Sequence, residues 1–308
     1  MNIAFRIEKS STVGLGHFMR MSTLAAQFEK MGHRVEFFDQ GDEPVNYTDV
    51  QLVIIDSYQL SDRYISNLKR VGKFVVCYDD NSLYTYDCHV LLNANLHASQ
   101  LAYRLIDPKT HLMLGPCYAL LREDFEHTAP IKINSIVKRV FVCFGGSDIN
   151  RFTPWVVSVL QGLNELELVV VLGSHTDCDQ QVLVLANDRT KIYKAPKDLT
   201  RLMRSCDLAV IASGSMVYEL ASMGLPSIVI TQADNQLKIA NYLQDENLMT
   251  WLGDWDQVSR EQLQQAVQQL ARDILKRVNQ SKKLQQLVNR KGASKAAEEI
   301  IGVYHEYA

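Results

Sequence analysis

The chain has 308 residues, of which 47% are hydrophobic and 22% charged, and its formal net charge at pH 7 is −3. This composition is that of a folded globular protein and excludes intrinsic disorder, and the length suits two domains of about 150 residues each. Scattered lysines and arginines argue against nucleic-acid binding, and no apolar run approaches the ~20 residues of a membrane span. The first residues, Met1 to Arg6, read as a strand rather than a signal peptide. We therefore predict a cytoplasmic monomer without stable membrane association.

The cysteines have no CxxC spacing, and two of them, Cys77 and Cys143, lie within apolar strand-like runs. Small buried thiols in a reducing compartment explain this usage better than disulfides or zinc ligands.

The first half of the chain alternates short apolar runs with helical patterns. The predicted strands are Ile3–Ile7, Val35–Phe38, Leu52–Ile55, Phe74–Cys77, Val90–Leu92 and His111–Leu114. Because the runs are nearly continuous rather than alternating, they indicate strands that are buried on both faces of a parallel sheet. A polar, proline-bearing stretch, residues 128–135, then reads as a linker.

The second half repeats this pattern and ends in a tail that is predicted to be helical from about Gln262. Its predicted strands are Val140–Phe144, Leu168–Leu172, Lys191–Lys194, Leu208–Ala212 and Ser227–Ile230. The expected fold class is α/β, with two Rossmann-like doubly wound domains facing each other across a cleft. We predict domains at 1–134 and 135–291, with a C-terminal helix at about 292–308 that packs back on the first domain.

A glycine-rich segment, Gly14-Leu15-Gly16-His17, followed by Arg20, lies between the first strand and a helix. Such turns bring backbone N–H groups and a helix N-terminus close to a phosphate. A dinucleotide fingerprint is the first alternative. However, the third glycine position is Met19, and six residues separate the strand from Gly14. In a second alternative, His17 only hydrogen-bonds backbone at the start of the helix. We favour a catalytic role for His17, because imidazole titrates near neutral pH.

A second strand-turn-helix segment contains Ser213-Gly214-Ser215 and then Glu219. Ser215 at a helix N-terminus can hold a diphosphate, and Glu219 one turn later can accept both hydroxyls of a ribose. Alternatively, Ser213 or Ser215 is an N-cap and Glu219 a solvated helix residue. A polar loop that contains Asn235 and Gln236 follows the next strand and favours the nucleotide site.

Other polar clusters follow strand ends and supply candidate substrate contacts. These candidates are Asp56, Asn95, Tyr118, Arg122, Gly145, Gly146 and Ser147. The adjacent Asp79 and Asp80 are expected to point apart on an extended segment. Since the histidines also lack ligand spacing, we predict no metal and no cofactor.

Taken together, three motifs resemble one family. They are Gly-x-Gly-His-x-x-Arg near the N-terminus, Phe-Gly-Gly-Ser-Asp after the linker, and Gly-Ser-x-x-x-Glu-Leu-Ala with Ala-Asp-Asn-Gln. The family is that of the UDP-2,4-diacetamido-2,4,6-trideoxy-β-L-altropyranose hydrolases of pseudaminic acid biosynthesis. The likeness covers nearly the whole chain, although the last motif is shared with GT-B glycosyltransferases.

The resemblance implies a GT-B architecture and metal-independent hydrolysis of a UDP-sugar to UDP and the free sugar, with inversion at C1. It places the catalytic histidine at His17 and the ribose-binding glutamate at Glu219. Gly214, Ser215 and the loop Gly145 to Ser147 match regions near the pyrophosphate and uridine. The final glycan would be on flagellin or a surface polysaccharide.

The chain departs from the family pattern at two positions. Glu8 stands where an aspartate is common in Arg-x-Asp, and Asn93-Ala94-Asn95 replaces a common Asn-Gln-Asn. Both departures bear on how the sugar is held. A UDP-sugar-dependent GT-B glycosyltransferase is the main alternative function, and a non-catalytic nucleotide-sugar sensor is another.

Overall fold

The computed structural model describes residues 1–7, 16–39, 47–59 and 61–307. The chain forms two compact units. Unit 1 is Met1–Glu123 together with Asn289–Ala308, and unit 2 is Asp124–Val288. None of the described helices has the length and hydropathy needed to cross a membrane.

Unit 1 is built on one parallel sheet of six strands, in the order β2-β1-β3-β4-β6-β8. A two-stranded sheet of β5 and β7 accompanies it. The elements are β1 (Asn2–Ile7), α1 (Gly16–Lys30), β2 (Arg34–Asp39), β3 (Leu52–Asp56), α2 (Asp62–Arg70), β4 (Phe74–Tyr78), β5 (Thr85–Tyr86), β6 (Val90–Asn93), β7 (Arg104–Leu105), β8 (His111–Leu114) and the C-terminal helix α11 (Gly292–Tyr307).

The sheet of unit 1 is buried on both faces, as its apolar strands predict. Phe5 of β1 packs with Phe28 of α1 and Ile300 of α11 on one face. The neighbouring Ala4 belongs to the cluster on the other face, with Ile65 of α2. Because successive side chains of a strand point to opposite faces, one strand supplies both cores.

Unit 2 also has one six-stranded parallel sheet, in the order β11-β10-β9-β12-β13-β14. The short helix α3 (Glu123–Glu126) begins at the unit boundary, and the following elements are β9 (Arg139–Cys143), α4 (Thr153–Leu160), β10 (Glu167–Leu172), α5 (Asp179–Val184), β11 (Thr190–Lys194), α6 (Leu199–Arg204), β12 (Leu208–Ala212), α7 (Met216–Met223), β13 (Ser227–Thr231), α8 (Leu237–Asp245), β14 (Thr250–Asp254), α9 (Arg260–Arg272) and α10 (Ile274–Leu287). The helical tail is therefore interrupted at Asp273 and at residues 288–291, rather than continuous from Gln262.

The polar stretch that reads as a linker lies within unit 2, because hydrogen bonds attach it there. Ile131 donates its N–H to the carbonyl of Met223. The fully buried guanidinium of Arg277 donates to the carbonyls of Asn134 at 2.6 Å and Ser135 at 2.9 Å. The unit boundary in the structure consequently falls at 123/124, ahead of this stretch.

Arg277 also donates to the carbonyls of Leu270 and Ala271. Arg277→Met removes all four of these hydrogen bonds from a buried site and is expected to lower the free energy of unfolding of unit 2 by about 3 kcal/mol. Urea unfolding followed by tryptophan fluorescence measures this, since all three tryptophans lie in unit 2. The exposed Lys276→Met is the control, and equal stabilities of the two variants would contradict the assignment.

Candidate functional site

The first cluster of polar side chains lies at the carboxyl edge of the sheet in unit 1. The chain reverses its winding between β1 and β3, which flank each other although β2 comes between them in sequence. Ligands of doubly wound sheets bind at such a switch point. Asp56 ends β3, and α1 begins at Gly16, while Gly14 lies outside the described residues. His17 and Asp56 thus meet where a ligand is expected.

His17 and Asp56 form a close contact in a water-poor environment. The His17 Nδ1 atom lies 2.7 Å from the Asp56 Oδ1 atom, and the two side chains are 5% and 1% exposed. A carboxylate can only accept here, so Nδ1 carries the hydrogen, and in the neutral ring the lone pair is then on Nε2. The contact fixes the orientation of the imidazole ring relative to Asp56.

Arg20, one turn along α1, bridges two carboxylates. Its Nε and Nη2 atoms lie 2.7 and 2.5 Å from the two oxygens of Asp56. Its Nη1 atom lies 3.0 and 2.8 Å from the two oxygens of Asp80. Burial alone would lower the pKa of Arg20, but the two carboxylates outweigh it and raise that pKa above its ordinary value. Arg20 therefore stays charged and joins Asp56 to Asp80, while its contact with a substrate stays a prediction.

Asp80 accepts hydrogen bonds from residues of two loops as well as from Arg20 of α1. It accepts hydrogen bonds from Tyr58 Oη at 2.5 Å and from Asn95 Nδ2 at 2.7 Å. Burial alone would raise the pKa of Asp80, but Arg20, Tyr58 and Asn95 together lower it. Asp80 is thus an anion that joins α1, the loop after β3 and the loop after β6.

Two tyrosine rings enclose the pair on α1. The Tyr58 ring meets the His17 ring edge to face with centroids 4.8 Å apart, and the Arg20 guanidinium lies 4.0 Å from the centroid of Tyr78. Burial raises the pKa of both tyrosines above the ordinary value, with nearby carboxylates adding to the effect. Both hydroxyls therefore stay protonated, and Tyr58 remains a donor to Asp80.

Asp79 holds a separate, deeper network, as expected for adjacent residues that point apart. It accepts from the backbone N–H of Ser82, from the hydroxyl of Tyr86 and from Asn93 Nδ2. Asn93 Oδ1 in turn accepts from the N–H and the side chain of Asn95. This network fixes the loops that carry Asp80 and Asn95.

Of the two departures from the family pattern, the structure describes the one in Asn93-Ala94-Asn95 but not Glu8. Arg6 is buried and donates to the backbone carbonyl of Asp39. Glu8 lies outside the described residues. The other departing residue is Ala94, which is buried between Asn93 and Asn95 of the polar network at the sheet edge.

Unit 2 has its own switch point between β9 and β12, in the strand order 3-2-1-4-5-6 of a dinucleotide-binding sheet. After β9, Gly145 adopts a φ of +91°, a backbone conformation that favours glycine. Gly146 and Ser147 are exposed. A Cβ added at Gly173, after β10, would lie 2.2 Å from the carbonyl oxygen of Gly146. Two glycine turns therefore pack backbone against backbone beside this switch point.

Asp148 completes the Gly145 loop but has a structural task. It is 3% exposed and accepts from the N–H groups of Phe152 and Thr153, both at 3.0 Å, and from Cys178 Sγ. It therefore ties the loop to the start of α4.

The turn after β12 presents Ser215 at the N-terminus of α7 without a capping hydrogen bond from its side chain. Ser213 is buried and donates to Thr231 Oγ1 at 3.4 Å. Ser215 therefore occupies the N-cap position, but its exposed hydroxyl does not cap the helix. Glu219 is half-buried in the first turn of α7. The helix start leaves a hydroxyl and the positive end of a dipole at the sheet edge.

The loop after β13 closes this edge. Gln236 Oε1 accepts from the backbone N–H of Gln232 at 3.0 Å. Asn150 Nδ2 donates to the carbonyl and side-chain oxygens of Gln232 at 2.8 and 3.1 Å. Gln232 is 8% exposed, and its buried Nε2 atom has no hydrogen-bond partner among the described residues. Asn235 is exposed beside it.

Two further predicted substrate contacts, Tyr118 and Arg122, have no contact with the His17 cluster among those described above. Tyr118 donates its hydroxyl to Glu299 of α11 at 2.9 Å, and Lys295 lies 4.2 Å from its ring centroid. Arg122 is half-buried. The contacts recorded for Tyr118 thus join it to α11 rather than to the His17 cluster.

Four residues of these clusters are not among the predicted substrate contacts. They are Tyr58, Tyr78 and Asp80 in unit 1 and Gln232 in unit 2. Tyr78 ends β4 and Gln232 follows β13, so the strand-end rule that selected Asp56 could have found both. Among the described residues, no group of three or more His, Cys, Asp or Glu side chains could hold a metal ion.

The structure is similar to solved glycosyltransferases over nearly its full length. The glycosyltransferase of kitacinnamycin superposes with a TM-score of 0.70 at 15% identity, covering 98% of this chain and 99% of that one. MurG of Acinetobacter baumannii superposes with a TM-score of 0.69 at 13% identity, covering 98% and 100%. The predicted fold class, two parallel-sheet α/β domains of the GT-B type, is confirmed.

Sequence relatives cover most of the chain at lower than 30% identity. An uncharacterised protein of Methanocaldococcus jannaschii is 24% identical, and the match covers 77% of this chain and 57% of that protein's length. A UDP-2,4-diacetamido-2,4,6-trideoxy-β-L-altropyranose hydrolase of Campylobacter jejuni is 25% identical over 79% of this chain and 96% of its own. A Helicobacter pylori protein named pseudaminic acid cytidylyltransferase and hydrolase of the same sugar nucleotide is 26% identical over 73% of this chain and 43% of its own. The predicted resemblance is confirmed.

One family model matches residues 139–300, which is more than half of the chain, and it is described as the glycosyltransferase family 28 C-terminal domain. The matched range contains the Gly145 loop, the start of α7 and the polar loop after β13. The chain therefore belongs to this family.

Proposed function

We propose that the protein is a hydrolase that cleaves a UDP-sugar to UDP and the free sugar by attack of water at C1 with inversion. The observation that carries this proposal is the 2.7 Å contact between His17 Nδ1 and Asp56, which leaves Nε2 as a base. The names of the Campylobacter jejuni and Helicobacter pylori relatives support UDP-2,4-diacetamido-2,4,6-trideoxy-β-L-altropyranose as the substrate. Pseudaminic acid biosynthesis is then the pathway.

In the proposed step, His17 Nε2 takes a proton from water as the water oxygen bonds to C1. The bond between C1 and the β-phosphate oxygen breaks, and its electron pair leaves with UDP. Asp56 stabilises the imidazolium that forms, and the proton then passes to solvent. General-base catalysis of this kind contributes about 10²- to 10⁴-fold. UDP is a good leaving group, so the step requires no strong general acid.

We assign UDP binding to unit 2. Gly145 and Gly146 supply backbone close to the pyrophosphate, and Ser215 with the N-terminus of α7 stabilises its charge. Glu219 accepts the two ribose hydroxyls. Gln232 supports the same edge as a site for a polar ligand, because its buried amide donor has no partner among the described residues.

A UDP-sugar-dependent glycosyltransferase is the second candidate, favoured by the family match and by the fold of the structural neighbours. The two candidates differ in the nucleophile. A hydrolase uses water, whereas a transferase delays release of UDP until an acceptor hydroxyl arrives.

The discriminating experiment follows UDP release from the diacetamido UDP-sugar in buffer without any acceptor. We expect release in water alone, with ¹⁸O from labelled water in the sugar and not in UDP, and inversion seen by proton NMR of the fresh product. UDP-N-acetylglucosamine is the matched substrate control. Release only after an acceptor is added would instead identify a transferase, and binding without turnover would identify a sensor.

A further inference from the structure

Arg20 has charged contacts that the proposed reaction does not use. Its guanidinium touches His17 as well as the two carboxylates, with Nη2 lying 3.2 Å from Nδ1 and 3.5 Å from Nε2. Since Nδ1 donates to Asp56, these distances describe a positive charge held against the imidazole rather than a hydrogen bond to it. We propose that Arg20 is a positioning residue that keeps His17 neutral, and so able to act as a base.

The electrostatic argument starts from Asp56 alone. A carboxylate 2.7 Å from an imidazole in a buried site favours the protonated ring, and a protonated ring has no lone pair for water. Arg20 opposes this in two ways. It neutralises Asp56 through two hydrogen bonds, and its own charge lies close to the place where the second positive charge would form.

The charged groups next to the His17 imidazole determine how strongly its protonated form is stabilised. Among the described residues, the charged or titratable groups in contact with His17 are Arg20 of α1, Asp56 of β3 and Tyr58 after β3. Tyr58 is neutral, since burial raises its pKa. Asp80 and Tyr78 act from the end of β4 through Arg20. The two charges next to the ring therefore oppose each other, and Asp80 fixes where the positive one lies.

This inference rests on the proposed function only where it concerns rate, so its test has two arms. In the first arm, the midpoint of the His17 titration is followed by NMR in ¹⁵N-histidine-labelled full-length protein, with the signal identified by its loss in His17→Asn. Arg20→Met is expected to move the midpoint to higher pH by about one unit, the effect of one unbalanced charge a few ångströms away in a partly screened site. Asp80→Asn, which removes a negative charge, is expected to move it to lower pH.

The second arm measures the dependence of UDP release on pH. Arg20→Met is expected to slow release about tenfold below the midpoint and to recover at high pH, because one unit in the midpoint changes the neutral fraction tenfold. Arg20→Lys keeps the charge and should return the acidic limb towards that of the wild type. Arg63→Met, on the exposed side of α2, is the control that should change neither quantity.

An unchanged midpoint in both Arg20→Met and Asp80→Asn would overturn the inference. A loss of rate that is equal at every pH would overturn it as well, because that is the signature of a residue that only holds the structure or the substrate. If the wild type releases no UDP but the NMR midpoints move as expected, the proposed function fails and the inference stands.

Discussion

Replacing His17 by asparagine is expected to slow acceptor-independent release of UDP by about 10²- to 10⁴-fold, the usual contribution of a general base. The asparagine amide can still donate to Asp56 as Nδ1 does, but it has no counterpart of the Nε2 lone pair. The variant therefore removes the base while it keeps the buried contact. Steady-state release of UDP, measured with a coupled assay on the diacetamido UDP-sugar, gives the loss.

The affinity for UDP shows whether a variant has lost only the general base or has also lost nucleotide binding. Because UDP binding is assigned to unit 2, titration calorimetry should give nearly the same dissociation constant for wild type and His17→Asn. His17→Ala removes the contact with Asp56 as well, and added imidazole should restore part of its rate. Full activity in either variant would contradict the assignment of His17 as the base.

The sheets could be predicted from the sequence because their strands are buried on both faces. Leu52 to Ile55 and Leu208 to Ala212 are unbroken apolar runs, and the structure has strands at both places. The missed strand β14 is half-buried throughout and contains Gly253 and a terminal aspartate. As an edge strand it lacks the continuous apolar run that marks a central one.

The candidate site could be predicted in part, for the same topological reason. Strand ends in a parallel sheet share one edge, which brought Asp56 and Asn95 into a single site prediction. The ion pairs of Arg20 could not be predicted from the sequence, since its carboxylate partners lie 36 and 60 residues away. Nor does an extended Asp79-Asp80 pair reveal which carboxylate faces the arginine, because that depends on the loops after β3 and β6.

Replacing Glu219 by alanine is expected to weaken UDP binding about 10- to 100-fold, since hydrogen bonds to a charged acceptor contribute about 1.5–3 kcal/mol and each 1.4 kcal/mol is tenfold. Glu219 lies half-buried one turn into α7, below the exposed Ser215. A carboxylate there can accept from both ribose hydroxyls once the pyrophosphate lies at the helix start. Calorimetric titration of UDP measures the loss, with the exposed Glu165→Ala as a control for the same change of charge.

The comparison of UDP with 2′-deoxy-UDP tests the contact itself. The wild type should bind UDP more tightly than the deoxy nucleotide, because loss of the 2′-hydroxyl removes one of the two bonds to the carboxylate. In Glu219→Ala both nucleotides lack that acceptor, so the preference should disappear. Glu219→Gln keeps an acceptor oxygen without the charge and should fall between the two. A preference for UDP that persists in Glu219→Ala would place the ribose against another residue of unit 2, even if the overall affinity had dropped. Measuring both nucleotides with wild type and variants thus distinguishes loss of the ribose contact from a general disturbance of α7. A single affinity cannot make this distinction.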